Sequence, residues 1–214
     1  MTTTAVRRPR RDAARSHQLV IDAARAVFGE SGLDAAMEQI AARAGVGVGT
    51  VYRAFPRKES LVQELVRMVS AELIDVGEDL LAEDDGSGLE AFLRAVGQSL
   101  AEHRRWADQL LISRTQSETE VNTLRCQFTR LVDNASRAGT IGPDAQLGDV
   151  LSLVWGMRGL IETTGDLAPD AWRRYLDVHL AGLRCAGPLS ATPPIPLGDV
   201  QQLTGAKGSG RAER

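Results

Sequence analysis

Apolar residues recur along most of the 214-residue chain three and four positions apart, with no sustained one-in, one-out alternation of β-branched residues. The first stripe, Leu19, Val20, Ala23, Val27 and Phe28, predicts a helix from about Asp12 to Ser31, with Gly32 as its C-terminal stop. Met37, Ile40, Ala41 and Ala44 predict a short helix over 37–44, and Gly45 follows where a left-handed backbone is needed. A second short helix is expected over 48–54, broken at Pro56. A long one then runs from Lys58 to about Leu81 and closes at the polar stretch 83–88. Five more follow at about 88–101, 105–113, 118–138, 144–164 and 169–184, with Pro169 in the first turn of the last. From Gly187 Pro, Gly, Ser and Thr take over, and such a tail buries too little apolar surface to offset its ordering, so 187–214 is expected to be disordered. The pattern predicts an all-α fold of about nine helices.

Composition narrows the class. The chain is 43% apolar and 25% charged, long enough for a stable core without staples. Cys126 and Cys185 are too few for a disulfide framework and lack metal-ligand spacing; Cys126 is expected to be a small buried hydrophobe. His17, His103 and His179 share no catalytic spacing and are expected at the surface or an interface. No apolar run has membrane-spanning length, and the basic N-terminus is followed by no apolar stretch of signal-peptide kind. A cytoplasmic protein without membrane attachment is the expectation. No nucleophile–base pair, metal cluster or phosphate loop is visible, so neither enzymatic activity nor a cofactor is expected.

The distribution of charge is more informative than its net value of −3. Residues 1–60 carry ten Arg and Lys against six Asp and Glu, while the remainder carries fifteen against twenty-two. A cationic head on an acidic body points to a polyanion met by the head alone. It also argues against an architectural DNA-binding protein, which would be basic throughout. Residues 1–11 read as a basic disordered arm whose Arg7, Arg8, Arg10 and Arg11 are able to enter a minor groove.

Residues 36–58, AMEQIAARAGVGVGTVYRAFPRK, pair two short helices across a tight glycine turn. Ile40, Ala41, Val46 and Val51 are the apolar points that fix their angle, which is helix-turn-helix grammar. In such motifs the second helix enters the major groove. Here it offers Val48, Gly49 and Thr50 at its start and Tyr52 and Arg53 outward, with Lys58 beyond the Pro56 break. Thr50 suits a phosphate or a thymine methyl, and the guanidinium of Arg53 suits guanine O6 and N7. Arg43 faces away from the apolar stripe and reads as a solvated charge.

The string Phe28-x-x-x-Gly32, Ile40-Ala-x-x-Ala-Gly-Val46, Gly49-Thr-Val-Tyr52, Phe55-Pro and Lys58-Glu-Ser-Leu61 resembles the DNA-binding domain of the TetR family of bacterial repressors. The resemblance places Tyr52 and Lys58 on phosphates and Arg53 on bases or phosphates. Two positions depart from the family pattern. Ala36 offers no side-chain cap to the second helix, which makes Asp34 the candidate to replace it, and Gly47 stands where Ser is usual.

The resemblance further implies a helix-turn-helix domain over 12–58 and a helical bundle over 59–186 for effector binding and dimerisation. The function it implies is a ligand-responsive repressor, a homodimer released from a pseudo-palindromic double-stranded operator by a small molecule. An activator, or a constitutive DNA-binding protein on the same fold, is the alternative. Candidate pocket residues are Phe92, Trp106, Leu110, Phe128 and Trp155, with Arg104 and Arg105 beside Trp106 hinting at an anionic or aromatic ligand. The 150–161 segment is apolar nearly all round, so it is expected to face its own domain on one side and a twin on the other. Leu151, Val154, Arg158, Ile161, Tyr175, Leu180 and Leu183 are the candidate interface residues, joined by Val178.

Overall fold

The computed structural model describes residues 9–83, 85–106, 118–185 and 187–196. The chain divides into two compact units, residues 1–65 and 66–214. The expected boundary at 58 therefore moves into the fourth helix, whose Leu61, Val62 and Leu65 are buried and belong to the first unit.

The first unit holds α1 (Pro9–Ser31), α2 (Met37–Ala44), α3 (Val48–Ala54) and the start of α4 (Lys58–Glu83). Helix α1 begins at Pro9, so Arg10 and Arg11 fall in its first turn and not in a disordered arm; proline's fixed φ suits that start. Its buried stripe is Val20, Ile21, Ala23, Ala24, Val27 and Phe28. Leu19, expected in that stripe, is 40% exposed because it lies more than 90° round the helix from the stripe's centre. Gly32, with φ +73°, donates its N–H to Phe28 O and ends the helix as expected. Helices α2 and α3 match their expected limits. Gly45 takes φ +66°, and the Val46 N–H reaches back to Ala41 O at 3.1 Å, which closes α2. Asp34 does not replace the missing cap at Ala36. The Gln39 side chain accepts from the Ala36 N–H at 2.9 Å, while the Gln39 N–H donates to Ala36 O.

The second unit holds the rest of α4, then α5 (Gly88–Glu102), α6 (Glu118–Ala138), α7 (Leu147–Thr164) and α8 (Ala171–Leu183). Helix α5 packs on all three that follow it. Its Phe92, Leu93, Val96 and Leu100 meet a core built from Phe128, Leu131, Val150, Leu153, Met157, Trp172 and Leu176. Gly97 brings α5 against its neighbours: a Cβ there would lie 2.4 Å from the Trp172 ring and 2.9 Å from Met157 Sδ.

Several expectations need correction. The helix expected at 105–113 does not begin where predicted, because 103–106 form a turn; its remainder lies outside the described residues. Helix α7 starts at Leu147 with the Gln146 N–H capped by the Asp149 carboxylate at 2.9 Å. Pro169 precedes α8, whose N-cap is Asp170. His103 is buried, its Nδ1 lying 2.8 Å from Ser99 O and its ring packed edge-on to Trp106. Cys126 is exposed, one position off the buried Gln127–Phe128 pair. The tail is ordered further than expected. The Leu189 N–H donates to the Asp144 carboxylate, and a Cβ on Gly148 would meet Ile195 O at 2.5 Å. Proline fixes φ in advance, so the run Pro193, Pro194 and Pro196 loses little entropy on settling there. Residues 197–214 lie outside the described residues.

Candidate nucleic-acid interface

Helix α3 is seven residues long, and only Val51 is buried. That single anchor is held from both ends: its own N–H donates to Gly47 O at 3.4 Å, and the Phe55 N–H donates to its O at 2.8 Å. Phe55 is buried in turn and stacks on His17 of α1, ring centroids 4.8 Å apart. Fixing Val51 and Phe55 inward leaves Val48, Gly49, Tyr52 and Arg53 on one exposed face, with Thr50 and Lys58 half-buried at its edges. Five of these six candidates therefore sit on α3, and Lys58 opens α4.

The electrostatics of this face are one-sided. No Asp or Glu occurs between Glu38 and Glu59, while Arg43, Arg53, Arg57 and Lys58 do. Arg43 is withdrawn from the set, because its guanidinium forks onto Glu30 with N–O distances of 2.9 and 3.0 Å. Those hydrogen bonds, with the adjacent positive charge, hold the Glu30 carboxyl below the ordinary carboxylate range. The pair ties α2 to α1, a structural role. Among the described residues, Thr50, Tyr52, Arg53, Arg57 and Lys58 spend no side-chain polar group on a protein partner. Arg57, exposed in the turn before α4, is the cation sequence reading missed; its place beside Lys58 after Pro56 was the available signal. Gly49 has nothing within 4 Å of an added Cβ, so its backbone is open to close approach by a ligand. Arg7 and Arg8 lie outside the described residues, and the side chains of Arg10 and Arg11 likewise.

In the second unit the expected pocket residues separate. Phe92 and Phe128 pack edge-to-face at 4.8 Å in the core, Trp106 is buried beside His103, and Trp155 is half-buried on α7. Leu110 lies outside the described residues. Arg104 donates to Asp166 at 2.5 Å and Arg105 approaches the same carboxylate at 3.8 Å, so both pair at the surface.

The expected interface residues divide in two. Val154, Ile161, Leu180 and Leu183 are buried within the single chain, because they lie on the stripes by which α7 and α8 pack on each other and on α5. Leu151, Arg158 and Tyr175 are half-buried. The face left open carries Ser152, Gly159, Tyr175, Val178, His179 and Gly182. Gly156 admits the Tyr175 hydroxyl, which lies where a Cβ would stand, and burial of this phenol pushes its pKa up.

Two family models match the chain. Residues 20–65 match the bacterial regulatory proteins of the tetR family, and residues 84–185 match the C-terminal domain of SbtR-like transcriptional regulators. No curated protein matches. Among solved structures, a TetR regulatory protein from Mycobacterium vanbaalenii is 30% identical, with 82% of this chain and 99% of that one covered and a TM-score of 0.59. A TetR transcriptional regulator from Streptomyces coelicolor is 31% identical, covering 80% and 99%, with the same TM-score. A Bacillus subtilis regulator solved in complex with stearoyl-CoA is 19% identical over 80% and 99% at a TM-score of 0.56, a likeness of fold alone. No described helix is long and apolar enough to cross a membrane. An acid-free helix-turn-helix face and an all-helical second unit meet here with family matches to both segments: the chain is a transcriptional regulator and belongs to the TetR family.

Proposed function

We propose that the chain is a ligand-responsive repressor that binds a pseudo-palindromic operator as a homodimer and leaves it when a small molecule occupies the second unit. The observation that carries this reading is the exposed face of α3 and the turn into α4, where Tyr52, Arg53, Arg57 and Lys58 stand without protein partners and without a carboxylate between residues 38 and 59. Tyr52 and Lys58 hold phosphates, with Arg57 beside them; Arg53 and Thr50 read base edges, and Val48 and Gly49 allow the helix to enter the groove closely. Arg7, Arg8, Arg10 and Arg11 reach the neighbouring minor groove, whose width is read by arginine.

The second copy is needed because one seven-residue helix covers only a half-site. The open α7–α8 face, with Val178 56% exposed between Tyr175 and Gly182, is the surface offered to it. Trp106 supports an effector role for the second unit, since its indole N–H is buried with no acceptor among the described residues.

Selection of duplexes from a random pool by the purified chain tests the reading. A palindromic motif with two half-sites about one helical turn apart is expected. A reporter fused to the DNA upstream of the chain's own coding region gives the sign: expression rises on deletion of a repressor and falls on deletion of an activator. Failure to enrich any motif would refute sequence-specific regulation.

A further inference from the structure

Beyond α8 the chain turns back over the α6–α7 loop and along the first turn of α7, and that ground is shaped to receive it. The Gly142 N–H donates to Leu183 O at 2.6 Å, and a Cβ on Gly142 would overlap Cys185 O. Farther on, the Leu189 N–H donates to the Asp144 carboxylate at 2.9 Å. A Cβ on Gly148 would lie 2.5 Å from Ile195 O and 3.1 Å from the Pro194 Cβ. Neither glycine has positive φ, so the backbone conformation does not require them. Both leave room for the returning segment, and residues 187–196 form a strap laid against α7.

The strap also borders the open α7–α8 face. Leu189 joins Ser152, Leu153, Tyr175, Val178 and Gly182 in lining a groove of about 360 Å³ there. Asp149 is the one carboxylate in that lining and already accepts from the Gln146 N–H; no Lys or Arg lines it. A lining so poor in charge offers little to an ionic ligand. It suits a second copy of the same chain, because at a two-fold axis a patch meets itself and every charge meets its like. Val178 on α8 is 56% exposed and Ile195 on the strap 39%, so both elements present a large apolar side chain to solvent. We infer that the strap is a third element of the subunit interface: Leu189 and Ile195 meet the second copy together with Val178, and the α7–α8 face is incomplete without them. The inference deepens the homodimer reading and rests on it.

The test uses the full chain, labelled at its N-terminus with donor or acceptor dye, and reads the rate of subunit exchange between the two pools. Leu189→Ser removes an apolar wall of the groove, and Ile195→Asp places a charge on the open side of the strap. Gly148→Ala, which favours the helix, displaces the strap from α7. Each should exchange at least about tenfold faster than wild type with its helical signal intact, since interface changes act mostly on dissociation. Ile195→Asp separates an interface from an internal brace: its side chain stands open in the single chain, so the charge speeds exchange only where a second copy covers it. The inference is overturned if Leu189→Ser and Ile195→Asp both exchange at the wild-type rate. If Val178→Asp dissociates while those two exchange as wild type does, the homodimer stands and the strap alone is refuted. A wild-type chain that sediments as a monomer at micromolar concentration would sink the homodimer reading and this inference together.

Discussion

At the scale of single residues, the proposed DNA contacts separate into those expected to hold phosphates and those expected to read bases. Lys58 is half-buried at the start of α4, where helix N–H groups add to its charge, and it lacks a protein partner. Lys58→Ala should weaken binding to every duplex about equally and lower the slope of log K against log salt by about one per half-site. Arg53→Ala should cost about 1–3 kcal/mol per half-site on the operator and much less on scrambled DNA, because a base fork is lost. Titrating both variants on both duplexes across a salt series checks the division; equal losses for Arg53→Ala would make it another phosphate clamp. The Glu30–Arg43 fork has a different signature. Its carboxyl is depressed in the folded chain, so its contribution is present above the ordinary carboxylate pKa and disappears as pH falls through the folded value. Melting curves of wild type and Glu30→Gln should differ at neutral pH and converge in acid, and a constant gap would exclude this pair as the source.

At the scale of elements, periodicity placed α2, α3 and α6 at their observed limits because each has a sharp stripe and a polar or glycine boundary. What it missed were interactions a stripe does not encode. The Gln39 reach to the Ala36 N–H closes an end that lacks a capping side chain, and Gln39→Ala should cost about 0.5–1 kcal/mol in denaturant unfolding. Cys126 and His103 were misplaced by residue type alone, since a one-residue turn of the helix decides which of Cys126 and Gln127 is buried. The candidate DNA face was visible in the sequence because its residues are contiguous, whereas the contact of Gln127 with Ile74 O joins α6 to α4 across 53 positions. Gly97 was likewise silent, though α5 meets Trp172 and Met157 across it. Gly97→Ala gains about 1 kcal/mol of helix propensity but overpacks a full core at about 1–3 kcal/mol. Net destabilisation is expected, and Trp172→Leu should relieve it in the double variant.

At the scale of the whole molecule, the first unit is basic and the second acidic, and on the proposed function two copies of the first unit match a two-fold operator. The sequence pattern marked Val154 for the subunit interface, yet it is 3% exposed in one chain and packs inside its own unit. Val178 is 56% exposed on the other side of α8, beside Tyr175, His179 and Gly182. The two valines therefore make opposite predictions. Val154→Asp buries an unpaired carboxylate, costs several kcal/mol and should abolish the helical far-UV signal before any question of assembly arises. Val178→Asp keeps every intrachain contact of the core and should retain full helicity. On the proposed dimer, however, it sets two carboxylates near the two-fold axis. It should sediment as a monomer at micromolar concentration and bind a full operator no better than a half-site. Sedimentation velocity beside circular dichroism decides between these outcomes. A Val178→Asp chain that stays dimeric and holds the operator would move the interface off the α7–α8 face, whereas a helical, dimeric Val154→Asp chain would contradict the packing of α7 itself.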